Sequence, residues 1–403
     1  MRKIFLLNLI IFCNLLAVPP SVYLNTARIA YHNEQDYNRA KKACLEGIKI
    51  DQKNFEFYVI LGGCEIGLGN WLDAAQALYG AFGADSLKTA SWISKQPEGD
   101  KYYYQSFFFS ARGLFEQQKY EDALKLIRYA QPDISTYTLK GAILYKLGNK
   151  TEASAEYQKA LDMDPENPDV NFMIGKVLFD SQSFDSCLSY LDKSVKAYGL
   201  KYARITNLIF QAAGKPKKDL ILEIAKLWAD QKLEDLDRVA KKDLGFAQGL
   251  VELKGNLEQF FKVGGDLARA CYYQGLAYHN LGKDSLALDN MIKCLELKPD
   301  DLDALYFAGE ALIGLTRYKE AMEYFEKVVS RKEDDRYAWF NLAICQTHLV
   351  NYKTAVSIYE TKVLVYDPTN LDAMTNLVSL YNALGNKQKA NEYLMKADSL
   401  QKK

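Results

Sequence analysis

Three histidines (His32, His279, His348) and six cysteines beyond residue 17 (Cys44, Cys64, Cys187, Cys271, Cys294, Cys345) are the side chains best suited to hold a metal or attack a substrate. Their spacing favours neither role. A structural zinc site draws paired donors from one turn, as in C-x-x-C, and no such pair occurs here. H-E-x-x-H, G-x-S-x-G and P-loop patterns are also absent from the sequence. Gly62-Gly63-Cys64-Glu65-Ile66-Gly67 has the glycine density of a phosphate cradle, but such a cradle follows a strand, and this run lies within an apolar helical pattern. The 51 Asp and Glu residues are spread over solvated helix faces, whereas acid–base work needs them paired in a cleft. Catalytic, cofactor-binding and metal-binding residues are therefore all read as none, and the chain as no enzyme. The 51 Lys and Arg balance the acids to a net charge of zero, which argues against nucleic acid as a partner. The cysteines are read as small apolar side chains packed in helices; disulfides are the alternative for an exported chain.

The first residues, MRKIFLLNLIIFCNLLAVPP, have the form of an export signal. Arg2 and Lys3 give a basic start, Ile4 to Leu16 an apolar core, and Ala17 a small residue at the cleavage point. The expectation is that residues 1–17 are removed and the chain resides in the periplasm or cell envelope. The alternatives are an uncleaved anchor and a buried helix. The run is short for a membrane span and is interrupted by Asn8 and Asn14. Cys13 follows Phe12, a large residue where a lipoprotein signal needs a small one.

Elements that could position a binding surface emerge from a repeat. Leu68-Gly69-Asn70, Leu147-Gly148-Asn149 and Leu384-Gly385-Asn386 recur, with Leu281-Gly282-Lys283 as a variant, and each has Ala five residues after the Gly. The small anchors are Ala40, Ala74, Ala123, Ala153, Cys187, Ala287, Ala321, Ala355 and Ala390, at spacings of 34, 49, 30, 34, 100, 34, 34 and 35. With the anchor as position 20, position 8 is Gly62, Ala111, Gly141, Gly175, Gly275, Gly309 and Ala343. Position 17 is often aromatic, and Pro165 and Pro299 close two units. Small residues at positions 8 and 20 allow two antiparallel helices to approach. Gly ends the first helix and Pro ends the second. A hairpin of this kind buries its apolar face only by stacking on the next.

These residues resemble the tetratricopeptide repeat over most of the chain, closest at Leu267–Pro299 and Ile134–Pro165. The resemblance implies an all-α, right-handed α-solenoid of stacked helix-turn-helix repeats. The organisation read from it is a signal at 1–17, repeats at 21–198 with a loop insertion at 84–100 that has room for one helical turn near Trp92, an irregular helical segment at 199–266, and repeats again at 267–403. The middle segment has room for two degenerate hairpins, one turning at Gly214-Lys215-Pro216 and one at Lys254-Gly255-Asn256, or for a helical insert that bends the array.

In this family the first helix of each repeat lines a concave groove. The candidate partner groove therefore comprises Phe108, Phe172, Tyr272, Tyr306 and Phe340 at position 5, with His279 and His348 at positions 12 and 13. The Lys and Asn that clamp a peptide carboxylate in some relatives are missing, since Phe172 precedes Lys176 and Tyr306 precedes Glu310. The aromatics either face a ligand or pack between helices. The implied function is an exported scaffold holding a protein or peptide in the groove, within a cell-envelope or secretion assembly and peripheral to a membrane. A carbohydrate- or lipid-handling binder and an enzyme accessory subunit are the other readings. No cofactor is expected.

Overall fold

A computed structural model describes residues 18–96, 99–212 and 244–401. The expected export segment, residues 1–17, and the expected turn at Gly214-Lys215-Pro216 lie outside them. The described residues are helical, with no strand among them, and the fold is an all-α stack of hairpins. The chain divides into two compact units, one ending at Pro165 and one beginning at Glu166.

The first unit contains α1 (Pro20–Arg28, prolonged by a π-turn at Ile29–Asn33), α2 (Tyr37–Ile50), α3 (Phe55–Gly67), α4 (Trp71–Ala84), α5 (Ser86–Ile93), α6 (Gly99–Glu116), α7 (Tyr120–Ile127), α8 (Ile134–Lys146) and α9 (Lys150–Met163). The second contains α10 (Pro168–Phe179), α11 (Phe184–Ala212), α12 (Leu244–Asn280), α13 (Asp284–Leu297), α14 (Leu302–Gly314), α15 (Tyr318–Arg331) and α16 (Arg336–His348). It ends with α17 (Tyr352–Ile358, continued by a π-turn at Tyr359–Val363 and Leu364–Tyr366), α18 (Leu371–Ala383) and α19 (Lys387–Gln401).

Two kinds of helix start alternate. Before several first helices an Asp or Asn side chain accepts from a backbone N–H of the first turn: Asn54, Asp133, Asn167, Asp301, Asp335 and Asn370. Most second helices lack this cap and begin directly after a tight turn. In that turn one residue is left-handed, and the next donates its N–H to the carbonyl five residues back, as Asn149 does to Leu144 at 2.9 Å.

The left-handed positions are Gly69, Gly148, Gly282 and Gly385, but also Gln35, Gln118, Gln182, Thr316 and Val350. For a β-branched residue this conformation is strained, and Val350 at φ 63° is the clearest case. Val350→Gly is therefore expected to stabilise the α16–α17 hairpin by about 1 kcal/mol, the relief of strain exceeding glycine's entropic cost. A urea midpoint that stays put or falls would count against it.

Every small anchor is buried. The position-8 glycines lie against large side chains of the following helix. A Cβ built on Gly141 would stand 2.5 Å from Tyr157, and one on Gly309 would stand 2.6 Å from Phe325. Gly62 and Gly63 sit buried inside α3, so this glycine run is a helix packing surface and not a phosphate loop. The six cysteines are buried and free, as the apolar-packing reading expects.

Two expectations about the irregular segments change. The insertion at 84–100 is not simply a loop: α5 spans Ser86–Ile93, started by Asp85 accepting from Lys88 N, and Thr89 Oγ1 donates to Ala81 O at 2.9 Å. Lys254-Gly255-Asn256 makes no turn, because α12 runs unbroken from Leu244 to Asn280. A turn there would put a small residue five positions after the Gly. The residue is Phe260, whose buried ring stacks on Tyr202 of α11 at 4.8 Å. The packing of α11 on α12 outweighs the ~1 kcal/mol that a mid-helix Gly costs. The boundaries drawn at 198/199 and 266/267 thus fall inside α11 and α12.

Candidate partner groove

The second unit brings Phe172, Tyr272, His279, Tyr306, Phe340 and His348 onto stacked first helices; Phe108 belongs to the other unit, half-buried beside Phe109. The aromatics do not project freely. Phe172 is 3% exposed, edge-on to Tyr273, with the Arg269 guanidinium over its face. Tyr272 is half-buried and meets Phe307 edge-on. Phe340 is half-buried and meets Tyr359 in the same way.

Tyr306 is tied to polar neighbours as well as to the Phe325 ring. Its hydroxyl donates to Glu310 Oε1 at 2.7 Å and accepts from Asn341 Nδ2 at 3.1 Å. Burial, reinforced by the bond to Glu310, pushes the Tyr306 phenol well above its usual range, so it remains a donor. On the other side of Glu310, His279 Nε2 stands 3.6 Å from Oε2, and His279 Nδ1 stands 3.6 Å from Asp284 Oδ1. The hydrogen bonds therefore join α14 to α16, and His279 of α12 stands beside them. His348 is exposed and lies flat on Tyr318, with ring centroids 4.2 Å apart.

Sequence reasoning located the aromatic ladder but missed Glu310 and Asn341 as the hydrogen-bond partners of Tyr306. Tyr306 and Glu310 stand at i and i+4 on one helix face, which was a readable signal. Asn341 carried none, because it occupies the register of Phe307 in the next repeat. Among the described residues no group of three or more His, Cys, Asp or Glu could hold a metal ion. No described helix is long and apolar enough to cross a membrane. The arrangement is suited to recognition by ring contacts and hydrogen bonds along one face.

Comparison with known families decides what the stack is. The tetratricopeptide-repeat profile matches residues 21–54, 268–301, 302–335 and 371–403, and a second TPR-repeat profile matches 141–182. The chain belongs to the tetratricopeptide-repeat family. Among curated proteins it is similar to a TPR repeat-containing protein of Methanocaldococcus jannaschii, 22% identical over 211 residues. That alignment takes in 51% of this chain and 32% of the relative, so the chain spans about a third of the relative's length. Among solved structures it is similar to the C-terminal part of a TPR repeat-containing protein from Cytophaga hutchinsonii, with 16% identity, TM-score 0.40, and coverage of 88% of this chain and 99% of that one. It is also similar to YrrB, described as a TPR protein with an unusual peptide-binding site, with 15% identity, TM-score 0.35, and coverage of 66% and 97%. MamA from Desulfovibrio magneticus gives 23% identity, TM-score 0.33, and coverage of 40% and 95%. The tetratricopeptide intervals at 141–182, 268–301 and 302–335 contain Phe172, Tyr272, His279 and Tyr306.

Proposed function

We propose that this tetratricopeptide chain is an exported, non-enzymatic scaffold. It holds an extended peptide or a helix of a partner protein on the first-helix face of α12, α14 and α16, within a cell-envelope or secretion assembly. The observation that carries the reading is the set Tyr272, Tyr306 and Phe340, spaced by 34 residues and each half-buried instead of sealed. Rings held on one side by a neighbour are preorganised, so gripping a partner with the other side costs little rotamer entropy. Glu310 between Tyr306 and His279 adds acceptors for a partner's donors. Export is supported by the basic, apolar and small-residue order of the first 17 residues.

One preparation tests both halves of the proposal. Crosslinking in intact cells, pull-down and N-terminal sequencing of the native protein are expected to recover a specific partner and a chain beginning at Val18. An intact Met1 on a cytosolic product would remove the export reading. Tyr272→Ala and Tyr306→Ala are expected to weaken partner capture about tenfold with helicity retained. Phe172→Ala, at a buried ring, should reduce stability and leave capture by the folded fraction intact. Unchanged capture by folded Tyr272 and Tyr306 variants would leave the ladder as packing alone.

A further inference from the structure

The α11–α12 pair departs from its neighbours in length. These helices have 29 and 37 residues, whereas α13 and α15 have 14 each. Where the pair outruns a repeat, a cleft of about 520 Å3 opens along it. Its lining runs along α11 from Tyr198 to Leu208, about 15 Å at the helical rise. That length accommodates four or five residues of extended chain.

Charge is segregated in this cleft. At the end near α10, the acids already have partners: the Tyr198 hydroxyl donates to Asp169 Oδ1 at 2.5 Å, and Asp266 is paired with Arg269. Farther along are Lys201 and Arg204 on α11, with Lys262 across from them on α12. Among the described residues the side chains of Lys201 and Arg204 enter no ion pair or hydrogen bond. Beside the cations lies an aliphatic lining of Ile205, Leu208 and Val263, of which Leu208 is 42% exposed. Unpaired cations next to exposed aliphatic surface call for an anion that carries its own apolar group.

We propose that this cleft binds a short acidic segment of a partner protein, with a carboxylate between Lys201, Arg204 and Lys262 and a neighbouring aliphatic side chain on Ile205, Leu208 and Val263. A peptide fits better than an anionic membrane. The charges line a cleft between two helices, and a chain of zero net charge has no surplus of cations with which to lie on a lipid sheet.

The probe is a fluorescein-labelled five-residue peptide of alternating glutamate and leucine, titrated with the full chain by fluorescence anisotropy at low and high salt. Saturable binding that weakens with salt is expected. Lys201→Glu with Arg204→Glu should lower the affinity at least tenfold, and Leu208→Ser should weaken it without abolishing its salt dependence. The charge-conserving Lys201→Arg with Arg204→Lys should retain most of the binding. Both cations are exposed, so circular dichroism should be unchanged; if the double Glu variant loses helicity, the double Gln variant takes its place. Tyr306→Ala should bind this probe normally, separating the cleft from the groove. Equal affinity in the charge-reversed chain overturns the proposal. So does absence of binding to the parent, or charge-dependent binding to phosphatidylglycerol vesicles with none to the peptide.

Discussion

Gly309→Leu is expected to unfold the α14–α15 hairpin under conditions in which the parent chain stays intact, with a loss of about 3 kcal/mol. The reason is a distance. A Cβ at Gly309 would stand 2.6 Å from the tip of the Phe325 ring, and Phe325 is fully buried, so the ring has nowhere to retreat. Leu adds three further carbons at that point and drives the two helices apart. The exposed Glu326→Leu should stay within about 0.5 kcal/mol of the parent. Repeat units touch only their neighbours, so hydrogen exchange should accelerate in α14, α15 and the helices packed on them, while α2 and α3 remain protected. Uniform loosening along the whole chain would refute this account. Gly309→Ala combined with Phe325→Leu should recover part of the loss, because the smaller side chain leaves room for a methyl group.

Alkali is expected to unfold the protein between about pH 9 and pH 11. Burial pushes the thiols of Cys187 and Cys271 up to about 11, and those of Cys64, Cys294 and Cys345 up to about 12; Cys44 lies higher still. In the unfolded chain these thiols ionise near 8.5 to 9. Below that range both states are protonated and the stabilisation is fully present. Above it the unfolded chain loses protons that the folded chain retains, so stability falls as pH rises through the folded values. Each tenfold difference in acidity is ~1.4 kcal/mol, and several thiols acting together match the 5–15 kcal/mol typical of a folded domain. Tyr359 and Tyr381, raised to about 12, add to the loss above pH 10. Helicity followed by circular dichroism should collapse before pH 12, and Cys64→Ala with Cys294→Ala should move the midpoint upward. At pH 8 a thiol reagent should label none of the six until denaturant is added. Helicity that persists to pH 12 would contradict the burial argument.

How much was legible depended on whether a residue's role repeated. The turns at Gly69, Gly148, Gly282 and Gly385 announce themselves, since glycine is the usual answer to a left-handed backbone. Gln118 and Val350 take the same conformation and are betrayed only by the small residue five positions on. The helix at Ser86–Ile93 was legible only as a single turn near Trp92, because it occurs once and no period supports it; the sign of its full length was Asp85, a capping residue. Lys254-Gly255-Asn256 misled because three letters were matched without the fourth requirement, a small residue where Phe260 stands. In the groove, Tyr272, Tyr306 and Phe340 were visible as equivalent positions. Asn341 was not, because its hydrogen bond to Tyr306 joins inequivalent positions of adjacent repeats, which a periodic reading does not compare.

The unbroken α11–α12 pair also bears on the order of folding. At the other hairpins of the second unit a turn of a few residues joins the paired helices, so contact forms between near neighbours in the chain. The facing ends of α11 and α12 are separated by residues 213–243. Contacts between α11 and α12 therefore join residues farther apart in sequence than those across a short turn, and pairings of this kind form more slowly than local ones. Local pairings such as α14–α15 should therefore nucleate first, and α11 should dock late onto a template already formed by α13 and the base of α12. Conservative substitutions at the α11–α12 contact, such as Ile205→Val, should speed unfolding and leave the refolding rate nearly unchanged, whereas Val328→Ala in α15 should slow refolding. The opposite pattern would place the long pair in the nucleus.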